Sequence, residues 1–267
     1  MEPFRITRPE GPRVPVVVSV PHCGTRFPEN LKGAYVKSMV TDPDDTDWFV
    51  ERLYGFAPRM GITLITSVYS RYVIDLNRDP DQKPLYSDGR LITGLCPTTD
   101  FLGNALYADG RALVSEGEVK ARMRAYYLPY HALLRKSLGE LREEFGAALL
   151  WDAHSIRRRV PTIQQDPFPD LILGSADGTS ASPGLIELAL STLDHSPYSV
   201  SHNHPFKGGA ITRSFGQPAL GYHALQLEMS KNLYLEDREK EYDEQRAATV
   251  QRLLESTLDT LITQLLV

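Results

Sequence analysis

The sequence predicts an α/β fold, with helices layered on a largely parallel or mixed sheet, and three observations carry that prediction. Short β-branched apolar runs recur along the chain, as at 14–20 (VPVVVSV) and 147–153 (AALLWDA). Amphipathic helical stretches alternate with them, most clearly over 117–145 and 237–264. No internal repeat or linker breaks the alternation, so residues 1–267 read as a single domain.

Taken in order, residues 14–20 have the pattern of a strand buried on both faces. They run into Pro21-His22-Cys23-Gly24, which sets a histidine at the strand's carboxyl end. In 46–60 (TDWFVERLYGFAPRM), Phe49, Val50, Leu53 and Tyr54 share one helical face, after capping residues at Asp44, Asp45 and Thr46. Strands are expected at 62–68 and 72–76 (YVIDL). Residues 80–116 are rich in Gly, Pro, Asp and Thr without a clean period, and a surface excursion of that length points to function. The helix over 117–145 should kink or split at Pro129. The strand at 147–153 leads into His154-Ser155, and further strands follow at 170–174, 198–202 and 223–228, with a helix near 183–193. In such sheets ligands bind outside the carboxyl ends of the strands.

Composition narrows the function classes. With 42% hydrophobic and 24% charged residues the chain is an ordinary globular one. A net charge of −5 and a pI near 5.8 argue against nucleic acid or an anionic membrane as a standing partner. A local basic pocket remains compatible with a small anionic substrate, and a homo-oligomer is left open. No run approaches the ~18 apolar residues of a membrane span, and MEPFRITRPEGPR lacks the apolar core of a secretory signal. Two cysteines, Cys23 and Cys96, cannot build a disulfide framework, so a cytoplasmic location is expected.

Three predicted strand ends deliver His22, His154 and Glu228 to one edge. Hydrolysis at zinc needs about three N or O ligands, an open position for water, and a carboxylate that is not a ligand to take the proton. Asp47 is the preferred third ligand, with Asp45 and Glu51 as rivals. Each residue also has a plain reading: a loop histidine, or an aspartate capping a helix. Glu228 resists it, because in HALQLE it shares a face with Gln226 opposite Leu225 and Leu227, and a buried carboxylate needs a cation. Arg78 in Asn77-Arg78-Asp79 and Arg213 in GGAITR offer forks for a substrate carboxylate, or structural ion pairs, for instance Arg78 with Asp75 or Asp79. Gly208-Gly209 permits close approach to a ligand or makes a tight turn. Cys23 beside His22 raises a thiol nucleophile, disfavoured because neighbours on an extended segment point apart. A serine mechanism at Ser155 lacks the G-x-S-x-G elbow.

Six segments together resemble the N-formylglutamate amidohydrolase family: SVPHCGTRFP (19–28), DTDWFVERLY (45–54), SRYVIDLNRDP (70–80), WDAHSI (151–156), KGGAITRSFGQP (207–218) and HALQLEMSKNLYL (223–235). The resemblance implies a three-layer α/β/α sandwich like that of zinc carboxypeptidases, with one Zn2+ held by two histidines and a carboxylate. It implies hydrolysis of N-formyl-L-glutamate to formate and L-glutamate, as in histidine degradation. A related N-acyl-amino-acid amidase or carboxypeptidase is the competing reading. By position, His22 and His154 match the histidine ligands, Glu228 matches the general base, and Asn77-Arg78 resembles the pair that grips a substrate carboxylate. The peptidase pattern His-x-x-Glu is not met, since Thr25 and Arg26 follow His22, so Asp47 is an inference rather than a match. Lys231 stands where the family leads one to expect arginine.

Overall fold

The structure is a computed structural model and describes residues 2–81 and 92–267, so residues 82–91 of the expected 80–116 excursion lie outside it. Seven strands, β1 (Phe4–Thr7), β2 (Val16–Val20), β3 (Thr63–Ser67), β4 (Ala148–Ile156), β5 (Leu171–Gly174), β6 (Val200–His202) and β7 (Tyr222–Ser230), form one mixed sheet in the order β1-β3-β2-β4-β7-β5-β6. Strands β3, β2, β4 and β7 are mutually parallel, and β1 and β5 pair antiparallel to them at the two sides. The helices are α1 (Glu29–Lys32), α2 (Lys37–Thr41), α3 (Val50–Leu53), α4 (Glu116–Arg122), α5 (Leu128–Phe145), α6 (Pro183–Asp194), α7 (Ala210–Phe215) and α8 (Glu244–Leu265).

The period of two along each strand sorts side chains onto two cores. Val16, Val18, Leu149, Trp151, Leu225 and Leu227 face α6 and α8, packing on Leu185, Ala189, Val250, Leu254 and Leu258. Val17, Ile65, Leu150 and Ala224 face the other way, onto Leu134, Leu138 and Leu141 of α5 and onto Ile211 and Phe215 of α7. Helices therefore cover both faces, and burying each aliphatic side chain contributes roughly 1.5–3 kcal/mol.

Four expected elements differ from the structure. The helix over 46–60 reduces to the single turn of α3 and a 3-10 turn at Ala57–Met60. Phe49 adopts a left-handed φ of 62°, which stops a helix from running through it. The strand expected at 72–76 is a buried turn instead: Arg71 reaches four residues on to pair with Asp75, and Asp75 bonds Leu95 through its backbone. The C-terminal helix starts at Glu244 rather than 237, where Asp243 caps the amides of Gln245 and Arg246. Strand β4 continues through Ile156, so His154 lies within the strand, not beyond it. Ahead of Pro129, which has no N–H to give, α4 passes into α5 through a π-helical turn at Met123–Tyr127.

Candidate active site

Parallel β2, β4 and β7 are adjacent, so their carboxyl ends meet at one edge of the sheet. Alternation puts Asp152 and His154 of β4 on the same face, and register sets them beside Gln226 and Glu228 of β7. His22 follows the end of β2. Asp47 sits in the irregular segment before α3, where its backbone amide bonds the His22 carbonyl at 3.0 Å.

His22, Asp47 and His154 are all buried, and each offers a ligand atom within 4.8 Å of the others. Nδ1 of His154 lies 3.1 Å from Asp47 Oδ2, and Nδ1 of His22 lies 3.8 Å from it. The distal nitrogens face outward onto carboxylates: His22 Nε2 to Asp75 at 2.8 Å, His154 Nε2 to Asp152 at 3.0 Å. A carboxylate behind each imidazole fixes the tautomer so that Nδ1 is left as the donor toward a metal, and it raises ligand basicity. Arg71 holds Asp75 from its far side at 2.7 Å.

The residues fit a metal ion by their unmet demands. His22 Nδ1 and Asp47 Oδ1 are buried and have no hydrogen-bond partner. A polar atom buried unsatisfied costs about 1–3 kcal/mol, and two on residues whose ligand atoms gather within 4.8 Å suit a cation. Tetrahedral zinc with bonds of about 2.0–2.1 Å takes such N and O donors.

The charges follow from burial and neighbours. Burial pushes Asp47 up, yet the His154 hydrogen bond and the two imidazoles outweigh it and hold its carboxyl below the usual range. Burial likewise raises Asp75, and Arg71 with His22 brings it well below. Burial and Arg71 lower His22. His154 is lowered by burial but driven well above its ordinary value by Asp152 and Asp47. Burial raises Glu228 to about 7, with His154 pulling the other way. A carboxylate poised there can both take and return a proton near neutrality.

Glu228, His22 and His154 line a cavity of about 80 Å3 with Arg71, Asn77, Arg78 and the apolar side chains of Phe101, Ile156, Ile163 and Phe206. The two rival ligands turn elsewhere. Asp45 accepts the Phe101 amide at 2.9 Å, and Glu51 borders a separate cavity with Arg5, Cys23 and Trp48. Burial, with Glu51 next, pushes the Cys23 thiol up and away from nucleophile chemistry.

Arg78 borders the cavity while its guanidinium donates to Thr93, at 2.9 Å to the carbonyl and 3.1 Å to the hydroxyl. Asn77 is spent on the scaffold: its amide donates to Asp152 and Gln226, and its oxygen accepts the Ile211 amide at 2.8 Å. Gly209 is needed there, because a Cβ would lie 2.4 Å from the Asn77 amide group. Gly209 thus accommodates an internal residue, and Gly208 takes a left-handed φ of 102°. Arg213 is not brought to the cavity. Helix α7 buries Ala210, Ile211, Thr212 and Phe215, which leaves Arg213 on the exposed face with Nε on the Gly208 carbonyl. Arg71, Asp75 and Asp152 are the site groups that sequence reasoning passed over as members of it. Their signal was a charge inside an apolar run, at i,i+4 in SRYVID and at i,i+2 before His154.

The sequence model for N-formylglutamate amidohydrolase matches residues 14–235. The chain belongs to the N-formylglutamate amidohydrolase family. It is 42% identical over 252 residues to an N-formylglutamate deformylase of Pseudomonas putida, covering 94% of this chain and 93% of that one. An N-formylglutamate deformylase of Pseudomonas aeruginosa is 40% identical over 254 residues, covering 92% and 93%. The crystal structure of N-formylglutamate amidohydrolase from Ralstonia eutropha superposes with a TM-score of 0.79 at 32% identity, over 98% of this chain and 96% of the other. A gene product of Agrobacterium tumefaciens at 15% identity shares the fold alone, with a TM-score of 0.74 over 98% and 94%. This family member is thus an amidohydrolase whose cleft gathers two carboxylate-backed histidines, an aspartate and a glutamate.

Proposed function

We propose that this amidohydrolase hydrolyses N-formyl-L-glutamate to formate and L-glutamate in a reaction that uses one zinc ion per chain. The observation that carries the reading is the convergence on one cavity of Glu228, two arginines and the two histidines that cluster with Asp47. Identity of 40–42% to two N-formylglutamate deformylases supports the substrate.

His22 Nδ1, an Asp47 oxygen and His154 Nδ1 would hold the ion. Zinc bound there supplies a water of lowered pKa and a Lewis acid for the formyl oxygen. Glu228 accepts the proton of the attacking water and returns it to the leaving amine, the double duty its poised carboxyl allows. Arg78 grips a substrate carboxylate, and Arg71 adds positive field on the same wall while it holds Asp75 against His22. Phe101, Ile156, Ile163 and Phe206 form an apolar wall that suits the methylenes of a glutamate side chain and excludes bulk water. Asn77 keeps β4, β7 and the 209–211 turn in register beneath the substrate.

The finer architecture we infer is a single domain in the three-layer arrangement of zinc carboxypeptidases. The finer setting is the cytoplasm and histidine degradation; among the described residues no helix is long and apolar enough to cross a membrane.

The test compares formate release from N-formyl-glutamate and N-formyl-alanine. Wild type should prefer the glutamate compound strongly, and Arg78→Ala should shrink that preference through KM. An unchanged preference in Arg78→Ala would remove Arg78 from substrate recognition, and equal turnover of both compounds by wild type would sink the substrate assignment.

A further inference from the structure

Lys231 lies directly after β7, in the turn that follows the strand carrying Glu228, and is 2% exposed. Its Nζ donates to the carbonyl oxygen of Asp44 at 3.0 Å. It borders a second, smaller cavity with Asp44, Asp45 and Arg157, which adjoins the first across Phe101, Ser155 and Ile156 but is not lined by Arg71 or Arg78. An ammonium group is costly to bury without compensating carboxylates. Those acting on Lys231 are Asp47, Asp44 and Asp45, all on one segment of chain.

That segment needs holding. Residues 43–49 contain no helix or strand, yet they present Asp47 to two histidines, one just past β2 and one within β4. Arg157 forks onto the Asp44 carboxylate from the surface side. The Phe101 amide and Arg71 hold Asp45, through its carboxylate at 2.9 Å and its carbonyl at 3.4 Å. Lys231 supplies the link to β7, and the Arg71 guanidinium stands 4.0 Å from Asp47.

We propose that Lys231 is a positioning residue for Asp47: it anchors the Asp44 carbonyl to the end of β7 and so fixes the carboxylate ligand relative to Glu228. The proposal rests on reading Asp47 as a metal ligand. It assigns Lys231 to metal affinity, not to substrate recognition, although Lys231 takes the place of an arginine expected by resemblance.

The test strips the full-length protein of metal and titrates it with zinc against a chromophoric chelator, for wild type, Lys231→Met, Lys231→Arg, Arg157→Gln and Asp47→Asn. Kinetics with N-formyl-glutamate and N-formyl-alanine at saturating zinc run alongside. Lys231→Met should bind zinc ~10–100-fold more weakly, the range for losing a group that supports a ligand. It should keep the preference for the glutamate compound, and Lys231→Arg should recover part of the affinity. Arg157→Gln should weaken zinc binding in the same direction by less. Unchanged zinc affinity in Lys231→Met overturns the proposal, and so does loss of glutamate preference with affinity intact, which makes Lys231 a substrate contact. Should Lys231→Met fail to fold, unchanged affinity in Arg157→Gln overturns it equally. If wild type and Asp47→Asn bind zinc alike, the ligand reading itself falls and takes this proposal with it.

Discussion

His22 and His154 at the cleft and His131 on α5 are all buried, yet they sit in opposite electrostatic settings. Behind each of the first two stands a carboxylate within 3.0 Å, and Asp47 stands in front of both. His131 instead stacks on Tyr127 with ring centroids 4.0 Å apart, and its Nε2 donates to the Leu76 carbonyl at 2.8 Å. Burial drives His131 down to about 4, while Asp152 and Asp47 carry His154 well above its ordinary value although it too is buried; His22, with Arg71 near, is lowered by burial. The difference teaches that burial alone makes a packing histidine. On the proposed reading a carboxylate behind the ring suits a buried histidine to a metal, because it engages Nε2 and turns Nδ1 toward Asp47.

The largest effect should separate the two regions outright. His22→Ala or His154→Ala should lose bound zinc and formate release together, while His131→Gln keeps both; zinc content and turnover measured on the same preparations decide it. Full metal content in the His22→Ala, His154→Ala double variant would break the comparison. Next, Glu228→Gln should retain zinc and substrate binding while kcat falls by ~100-fold or more, the scale for a lost general base. A smaller effect sharpens the role of the rear carboxylates: Asp75→Asn and Asp152→Asn should each weaken zinc binding by ~10–100-fold, read by chelator competition.

A last effect, on stability and not on the site, belongs to His131. Its folded pKa of about 4 lies below the 6.5 of the free side chain, so the unfolded chain takes up the proton first as pH falls. Its contribution is full above pH 6.5 and is lost progressively toward pH 4, by up to ~3 kcal/mol. Urea unfolding of wild type and His131→Gln across that window should show the difference shrinking as pH falls; a constant difference would mean that His131 is not buried neutral.

Much of this was legible in the sequence because it depends on period. The apolar runs of β2, β4 and β7 announced parallel buried strands, and alternation in HALQLE placed Gln226 and Glu228 on one face. What depended on long-range contact was not legible. Asp75 looked like a polar interruption in a strand, yet the chain turns there so that Arg71 can reach it and it can reach His22. Asp47 falls where the sequence predicts the first turn of a helix, but the left-handed Phe49 delays that helix to Val50 and leaves Asp47 in a turn tied to His22. Arg213 follows a glycine pair that suggests a ligand, whereas Gly209 makes room for Asn77 and the helix after it carries the arginine outward. The short edge strand β1, which pairs Phe4–Thr7 with Leu64–Ser67, had no sequence signal strong enough to be assigned.

The central claim is that His22, Asp47 and His154 hold one metal ion on which hydrolysis depends. The most direct measurement adds zinc stepwise to chelator-stripped protein and follows bound zinc and formate release from N-formyl-glutamate in the same samples. The account predicts that activity rises in proportion to bound zinc, saturates at about one ion per chain, and does neither in His154→Ala. Full activity in the stripped wild type, or zinc uptake without any gain in formate release, would contradict it.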